Sequence, residues 1–313
     1  MKIYLLGHIG PDLDAVCAPI EYAEFLEKAK RYSQAQILPA VCDEINKETK
    51  FILQKFDVET PVKISAGDIL GEDRIILVDH NEEDQRMKGI DSSQIIEIID
   101  HHKININFTS PLRIDVRPLG SASSVVYENF VKEGIEPSTK IASLILASIL
   151  SDTQGLKSST TTGLDASFAQ ALSKLTGLDI ENLTFEIFKA KSDISGLTPK
   201  QIVKNDYKIF DFDSRKVFIG QIETVEPQKA LAMKDKLLNA MEEVKAIEGV
   251  GLLYLAITDI LKINTQLLYS TDEEKEIVEH AFEGAGEGNV INIGPRMSRK
   301  KDIAPPIEKV LTK

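Results

Sequence analysis

The run Ile3-Tyr4-Leu5-Leu6 leads into His8, Asp12 and Asp14, after which Val16, Ile20, Ala23 and Leu26 recur at helical spacing. A buried strand thus feeds a helix through a turn crowded with groups that are costly to bury. Open α/β sheets place their ligand sites at such strand-to-helix turns. One imidazole and two carboxylates in that place need a positive partner, and a metal ion is the simplest.

The same punctuation recurs along the first half. Short β-branched runs at Lys2–Leu6, Gln36–Leu38, Arg74–Val78 and Gln94–Ile99 read as strands. Amphipathic stretches at Ala15–Arg31, Lys47–Phe56, Ala122–Glu133, Thr139–Leu150, Ala166–Leu175 and Leu183–Ala190 read as helices. Such alternation predicts a parallel sheet with helices on both faces. Gly196 and Pro199 in "AKSDISGLTPK" mark a linker over residues 190–197. Residues 1–189 then form an α/β domain, and residues 198–313 a smaller mixed-sheet α/β domain. In the latter we expect strands Lys216–Ile222, Gly251–Thr258, Gln266–Tyr269 and Val290–Ile293, with helices Gln228–Ala246 and Glu273–Phe282. A short linker between two domains predicts an active-site cleft between them that opens and closes.

A chain of 313 residues is long enough for both cores. The apolar stretch Ile141–Leu150 is too short to span a bilayer, and the N-terminus lacks the build of a signal peptide, so no membrane association is expected. Only Cys17 and Cys42 occur, outside any zinc-type spacing, which fits a reducing, cytoplasmic location. A formal charge of −12 argues against nucleic-acid binding, which needs a basic face.

Four of the five histidines fall in short polar patches that follow apolar segments. The patches are "GHIGPDLDA" (His8, Asp12, Asp14), "LVDHNE" (Asp79, His80), "IIDHHK" (Asp100, His101, His102) and "LSDT" (Asp152). Singly, each has a plain explanation: Asp12 as an Asx turn, Asp14 as a helix cap, Asp152 as a helix end. Together they place donors where parallel strands share an edge. Imidazole with carboxylate and no thiolate suits Mn²⁺, Co²⁺ or Mg²⁺. There are enough donors for two ions with one bridging aspartate, the arrangement that activates water against phosphorus. His280, on the acidic helix "DEEKEIVEH", reads as a solvated bystander.

"DHH" after an apolar strand, with "GHxxPDxDA" and "VDHNE" upstream and "SDT" downstream, resembles the DHH phosphoesterase superfamily. The C-terminal "MSRKKDIAPP", with "AKSDISG" and "FIGQIET", resembles the manganese-dependent (family II) inorganic pyrophosphatases and their DHHA2-type second domain. The resemblance implies one Mn²⁺ on His8, Asp12 and Asp79 and a second on Asp14, Asp79, His101 and Asp152, with further Mg²⁺ arriving with pyrophosphate. It implies that His102 faces the phosphate, that Asp100 fixes ligand geometry, and that Lys208, Arg299 and Lys300 hold the outer phosphoryl group. It also implies a homodimer. Leu13 departs from the pattern, standing where the family commonly has a small hydroxyl residue, but no ligand is lost. The expected reaction is hydrolysis of pyrophosphate to two orthophosphates by two-metal activation of a bridging water, with no covalent intermediate. A short-chain exopolyphosphatase is the nearest rival, and Asn81 in "DHNE" favours the pyrophosphatase. A non-catalytic metal or phosphate sensor would have shed ligands, and none is missing.

Overall fold

A computed structural model describes residues 1–312, which fall into two compact units divided between Lys191 and Ser192. In the first unit six strands lie parallel: β1 (Lys2–Leu6), β2 (Gln36–Val41), β3 (Val62–Lys63), β4 (Arg74–Val78), β5 (Ile95–Asp100) and β6 (Arg113–Val116). Their spatial order is β3-β2-β1-β4-β5-β6. The chain winds outward from β1 through β2 to β3, then returns to β1's other side at β4 and winds the opposite way. The reversal lies between β1 and β4, whose registers pair Ile3 with Arg74 and Leu6 with Leu77.

Strand alternation sends Ile3, Leu5, Ile76, Val78 and Ile99 into one core and Tyr4, Leu6, Ile75, Leu77 and Ile98 into another. The first core is closed by α1 (Leu13–Lys28), α2 (Lys47–Lys55), α3 (Ala122–Glu133), α4 (Thr139–Asp152), α5 (Gly163–Thr176) and α6 (Ile180–Lys191). All six helices gather there, which corrects the expectation of helices on both faces. The other face is packed by Ile64, Ile69, Met87, Ile90, Ile106, Phe108 and Leu112, from loops and 3₁₀ turns. The reason is connection length. The links from β4 to β5 and from β5 to β6 hold no α-helix, only the 3₁₀ turns Glu83–Gln85 and Ser92–Gln94 in the former.

Two of these strands escape sequence patterning. β3 has two residues, and β6 carries Arg113 and Asp115 on an edge where Arg113 pairs with Glu97 at 3.1 Å. Short charged edges carry little apolar signal.

The second unit opens with a turn around Gly196 and α7 (Pro199–Val203). It has strands β7 (Tyr207–Phe212), β8 (Arg215–Thr224), β9 (Leu252–Asp259), β10 (Asn264–Leu268) and β11 (Val290–Gly294), ordered β11-β10-β9-β8-β7. β8 and β9 are parallel and the other pairs antiparallel, so the sheet is mixed. The expected helix Gln228–Ala246 is instead α8 (Pro227–Leu231) and α9 (Lys234–Glu248), parted at Ala232 and Met233. α7 and α9 cover one face; α10 (Asp272–Phe282) and α11 (Ala304–Leu311) cover the other. Among the described residues no helix is long and apolar enough to cross a membrane.

Candidate metal centre

The four polar patches all belong to the first unit and converge at the reversal between β1 and β4. Gly7 makes the first turn: a Cβ there would lie 2.0 Å from the Ala15 carbonyl oxygen, so only glycine lets α1 start so close to β1. Asp12, not Asp14, is the N-cap of α1, accepting from the Ala15 backbone N–H at 3.0 Å. That frees Asp14 to turn inward. Its carboxylate accepts from the backbone N–H of Ala122 (2.6 Å) and Ser123 (3.1 Å) and from Ser123 Oγ (2.5 Å), at the N-terminus of α3.

Asp79 follows β4 with φ 63°, a left-handed conformation rare for a side-chain-bearing residue. Its N–H donates to Ile99 carbonyl oxygen at 2.9 Å, so the turn is strapped to β5 while the carboxylate stays buried. Oδ2 lies 3.5 Å from His8 Nε2, and Oδ1 lies 3.2 Å from His101 Nε2 and 3.8 Å from His102 Nδ1. His8 Nε2 is also 3.8 Å from Asp12, and His101 Nε2 is 3.9 Å from Asp152. Three overlapping groups of potential ligand atoms result, each within 4.8 Å: His8, Asp12 and Asp79; Asp79, His101 and His102; Asp14, His101 and Asp152. Asp79 and His101 each belong to two.

The hydrogen bonds on the far side of each ring establish what faces inward. His8 Nδ1 sits 2.9 Å from the Ile9 carbonyl and His101 Nδ1 3.1 Å from the Leu119 carbonyl. A carbonyl only accepts, so Nδ1 carries the hydrogen and Nε2 is the ring atom left to face the carboxylates. His101 Nε2 and Asp79 Oδ1 are both buried and form no hydrogen bond. Two such ligand atoms in a buried site call for a proton or a metal ion, and imidazoles anchored through Nδ1 are the usual form of metal-ligating histidine. These residues fit a divalent ion.

The electrostatics agree. Burial opposes charge on His8, yet the Asp12 carboxylate, the Ile9 carbonyl and the nearby Asp79 push its pKa up to about 9. Burial, then the neighbouring charges of Asp14 and Asp12, pushes Asp79 well above the carboxylate range; the same causes act on Asp152. So many carboxylates crowd this pocket that it holds protons where positive charge is lacking.

His102 is half-exposed, its Nδ1 2.9 Å from Asp100 Oδ1. Asp100 is fully buried and also accepts from the backbone N–H of His101 (2.7 Å) and from Asn81 Nδ2 (2.5 Å). Burial would raise Asp100, but the bonds from His102 and Asn81 outweigh it and hold the carboxyl below its usual range. Sequence reasoning noticed Asn81 only as part of a pattern. It is a buried clamp, also donating to the Lys103 carbonyl (2.9 Å) and accepting from Asn105 N–H (2.7 Å). His80 stays outside the three groups; burial pushes it down to about 4, and its Nδ1 lies 3.0 Å from the Val78 carbonyl.

The three cations expected to serve the substrate lie in the second unit. Lys208, on β7, is exposed with Nζ 5.3 Å from the Phe210 ring centre. Arg299 and Lys300 open a π-helical turn, Arg299–Ile303, ahead of α11. Lys300 is exposed, whereas the Arg299 side chain is 13% exposed and pairs with Asp206 at 2.7 Å.

Anchored imidazoles and carboxylates without thiolate, gathered where a parallel sheet reverses direction, define an α/β protein organised around a divalent-metal centre. Family models agree: the DHH family, N-terminal domain, matches residues 2–149 and the DHHA2 domain matches residues 185–310. The manganese-dependent inorganic pyrophosphatase of Methanocaldococcus jannaschii is 37% identical over 98% of each chain. That of Methanothrix thermoacetophila is 36% identical over 100% of this chain and 99% of the relative. A crystal structure from Methanococcus jannaschii, assigned to the family II inorganic pyrophosphatases, covers both chains completely at 36% identity and a TM-score of 0.62. A Bacteroides fragilis exopolyphosphatase-related protein, 17% identical over 99% of this chain and 91% of its own, shares the fold alone at a TM-score of 0.53. The chain belongs to the family of manganese-dependent inorganic pyrophosphatases.

Proposed function

We propose that this protein hydrolyses inorganic pyrophosphate to two orthophosphates with Mn²⁺ as its resident metal. The observation that carries the reading is the convergence of two ligand atoms, His101 Nε2 and Asp79 Oδ1 at 3.2 Å, both buried and without a hydrogen-bond partner among the described residues. His8, Asp12 and Asp79 would hold one ion, and Asp14, Asp79, His101 and Asp152 a second. Two such ions, when bound, supply Lewis acidity and bring the pKa of water near neutrality.

The chain's own residues do the rest. Four ligand aspartates balance two divalent ions, so the charge of pyrophosphate, and of the Mg²⁺ it brings, is met elsewhere. Arg299, Lys300 and Lys208 meet it, the guanidinium through directed donors and the lysines as point charges. Asp100 holds His102 through Nδ1 at 2.9 Å, and His102 would face the phosphate. Water activated by the two ions would be the nucleophile, with no covalent intermediate. Two free cysteines fit a cytoplasmic setting, while the homodimer rests on the family resemblance.

The test compares phosphate release from pyrophosphate, tripolyphosphate and dinucleotides, each with Mn²⁺ and with Mg²⁺. Pyrophosphate with Mn²⁺ should be fastest. Faster release from tripolyphosphate would make the protein an exopolyphosphatase.

A further inference from the structure

We propose that Asp206 is a positioning residue for Arg299, fixing the plane of the guanidinium that receives the phosphoryl group; this rests on the pyrophosphatase reading above. Asp206 Oδ1 accepts from Arg299 Nη2 at 2.7 Å. The remaining donors on Nε and Nη1 are buried and have no hydrogen-bond partner among the described residues. Unpaired buried donors are costly, and they are tolerated where an incoming acceptor completes them. A phosphoryl oxygen supplies what is missing, charge included.

The pair is braced from one residue. Gln221 on β8 donates its backbone N–H to the Asp206 carbonyl at 2.8 Å, which extends the β7–β8 ladder by one position. Its side-chain Nε2 donates to the Met297 carbonyl at 2.8 Å, just before the Arg299 turn. Asp302 closes that turn by accepting from Ser298 N–H at 2.8 Å. Carboxylate and guanidinium are thereby hung from a common strand. Asp206 itself is half-exposed, and exposed ion pairs contribute little to stability. Orientation is what the contact supplies.

Steady-state hydrolysis of pyrophosphate by the Mn²⁺-loaded full chain is the test. Asp206→Ala should lower kcat/KM by about 10- to 100-fold, the scale of loss when a contact group is displaced. Asp206→Asn, which keeps an acceptor for Nη2, should restore most of it, and Mn²⁺ affinity should be unchanged in both. In an Arg299→Lys background Asp206→Ala should cost less than about twofold, because residues acting through one another are not additive. Equal losses from Asp206→Ala in both backgrounds would overturn the proposal. So would wild-type kcat/KM in Asp206→Ala while Arg299→Ala is crippled. Wild-type kinetics in Arg299→Ala would instead sink the assignment of Arg299 as a substrate group, and this inference with it.

Discussion

Asp79 Oδ1 and His101 Nε2 face each other across 3.2 Å, both buried and without a hydrogen-bond partner among the described residues. The backbone conformation of Asp79 and the Leu119 carbonyl on the far side of His101 hold both in place, so neither can turn away. The contact calls for a proton or a metal ion, and the protein's behaviour follows from that demand.

Asp79→Ala should therefore disturb both ions, because this carboxylate belongs to two of the three ligand groups. Calorimetric titration with Mn²⁺ should show both sites weakened and hydrolysis lost. Two tight, unaltered sites in the variant would end the idea of a shared ligand.

Removing metal should cost stability as well as activity. Asp12, Asp14, Asp79 and Asp152 repel one another when nothing neutralises them, so native protein binds Mn²⁺ far better than unfolded chain does. At a free Mn²⁺ concentration of 100 times Kd, one site should add about 2.7 kcal/mol. Thermal melts with chelator and with excess Mn²⁺ read this directly, and coincident melts would contradict it.

Asn81→Ala removes the amide that donates to buried Asp100 and pins the chain at Lys103 and Asn105. Partners that orient a site's groups typically account for about 10- to 100-fold in activity or metal affinity. We expect a loss on that scale, measured as kcat/KM for pyrophosphate beside a Mn²⁺ titration. An unaltered enzyme would show that Asp100 holds His102 without help.

Gly7→Ala would drive a methyl group into the Ala15 carbonyl, 2.0 Å from an ideal Cβ. Forced overpacking costs about 1–3 kcal/mol, here by prising the start of α1 from the end of β1. Chemical denaturation should show the loss, and Mn²⁺ affinity should fall with it because His8, Asp12 and Asp14 sit on that junction. Unchanged stability would mean that the turn relaxes freely.

Arg299→Ala and Lys300→Ala should each lower turnover on the order of 10²-fold or more while leaving the metal centre intact. Kinetics paired with Mn²⁺ calorimetry separates the two effects. Near-native rates in both variants would make the π-turn a solvated tail.

Sequence by itself determined the parts whose signal is local. Apolar runs ending in His8, Asp79 and His101 marked the parallel strands and their functional ends, and helical periodicity found α1 to α6. It passed over β3, β6 and β7, since two residues, a charged edge and a half-exposed hairpin arm carry little apolar pattern. It also assigned helices to both faces of the first sheet, because periodicity shows that a helix exists and not which side it covers. Strand order was decided only by pairing residues some seventy positions apart, Ile3 with Arg74 and Leu6 with Leu77, and that pairing put the reversal beside Asp79. The division of labour between Asp12 and Asp14, the Nδ1 anchors of His8 and His101, the Asn81 clamp and the Asp206–Arg299 pair are tertiary in the same sense. Each depends on which backbone group folding brings within hydrogen-bond reach, and a one-dimensional pattern of residue types carries no record of that distance.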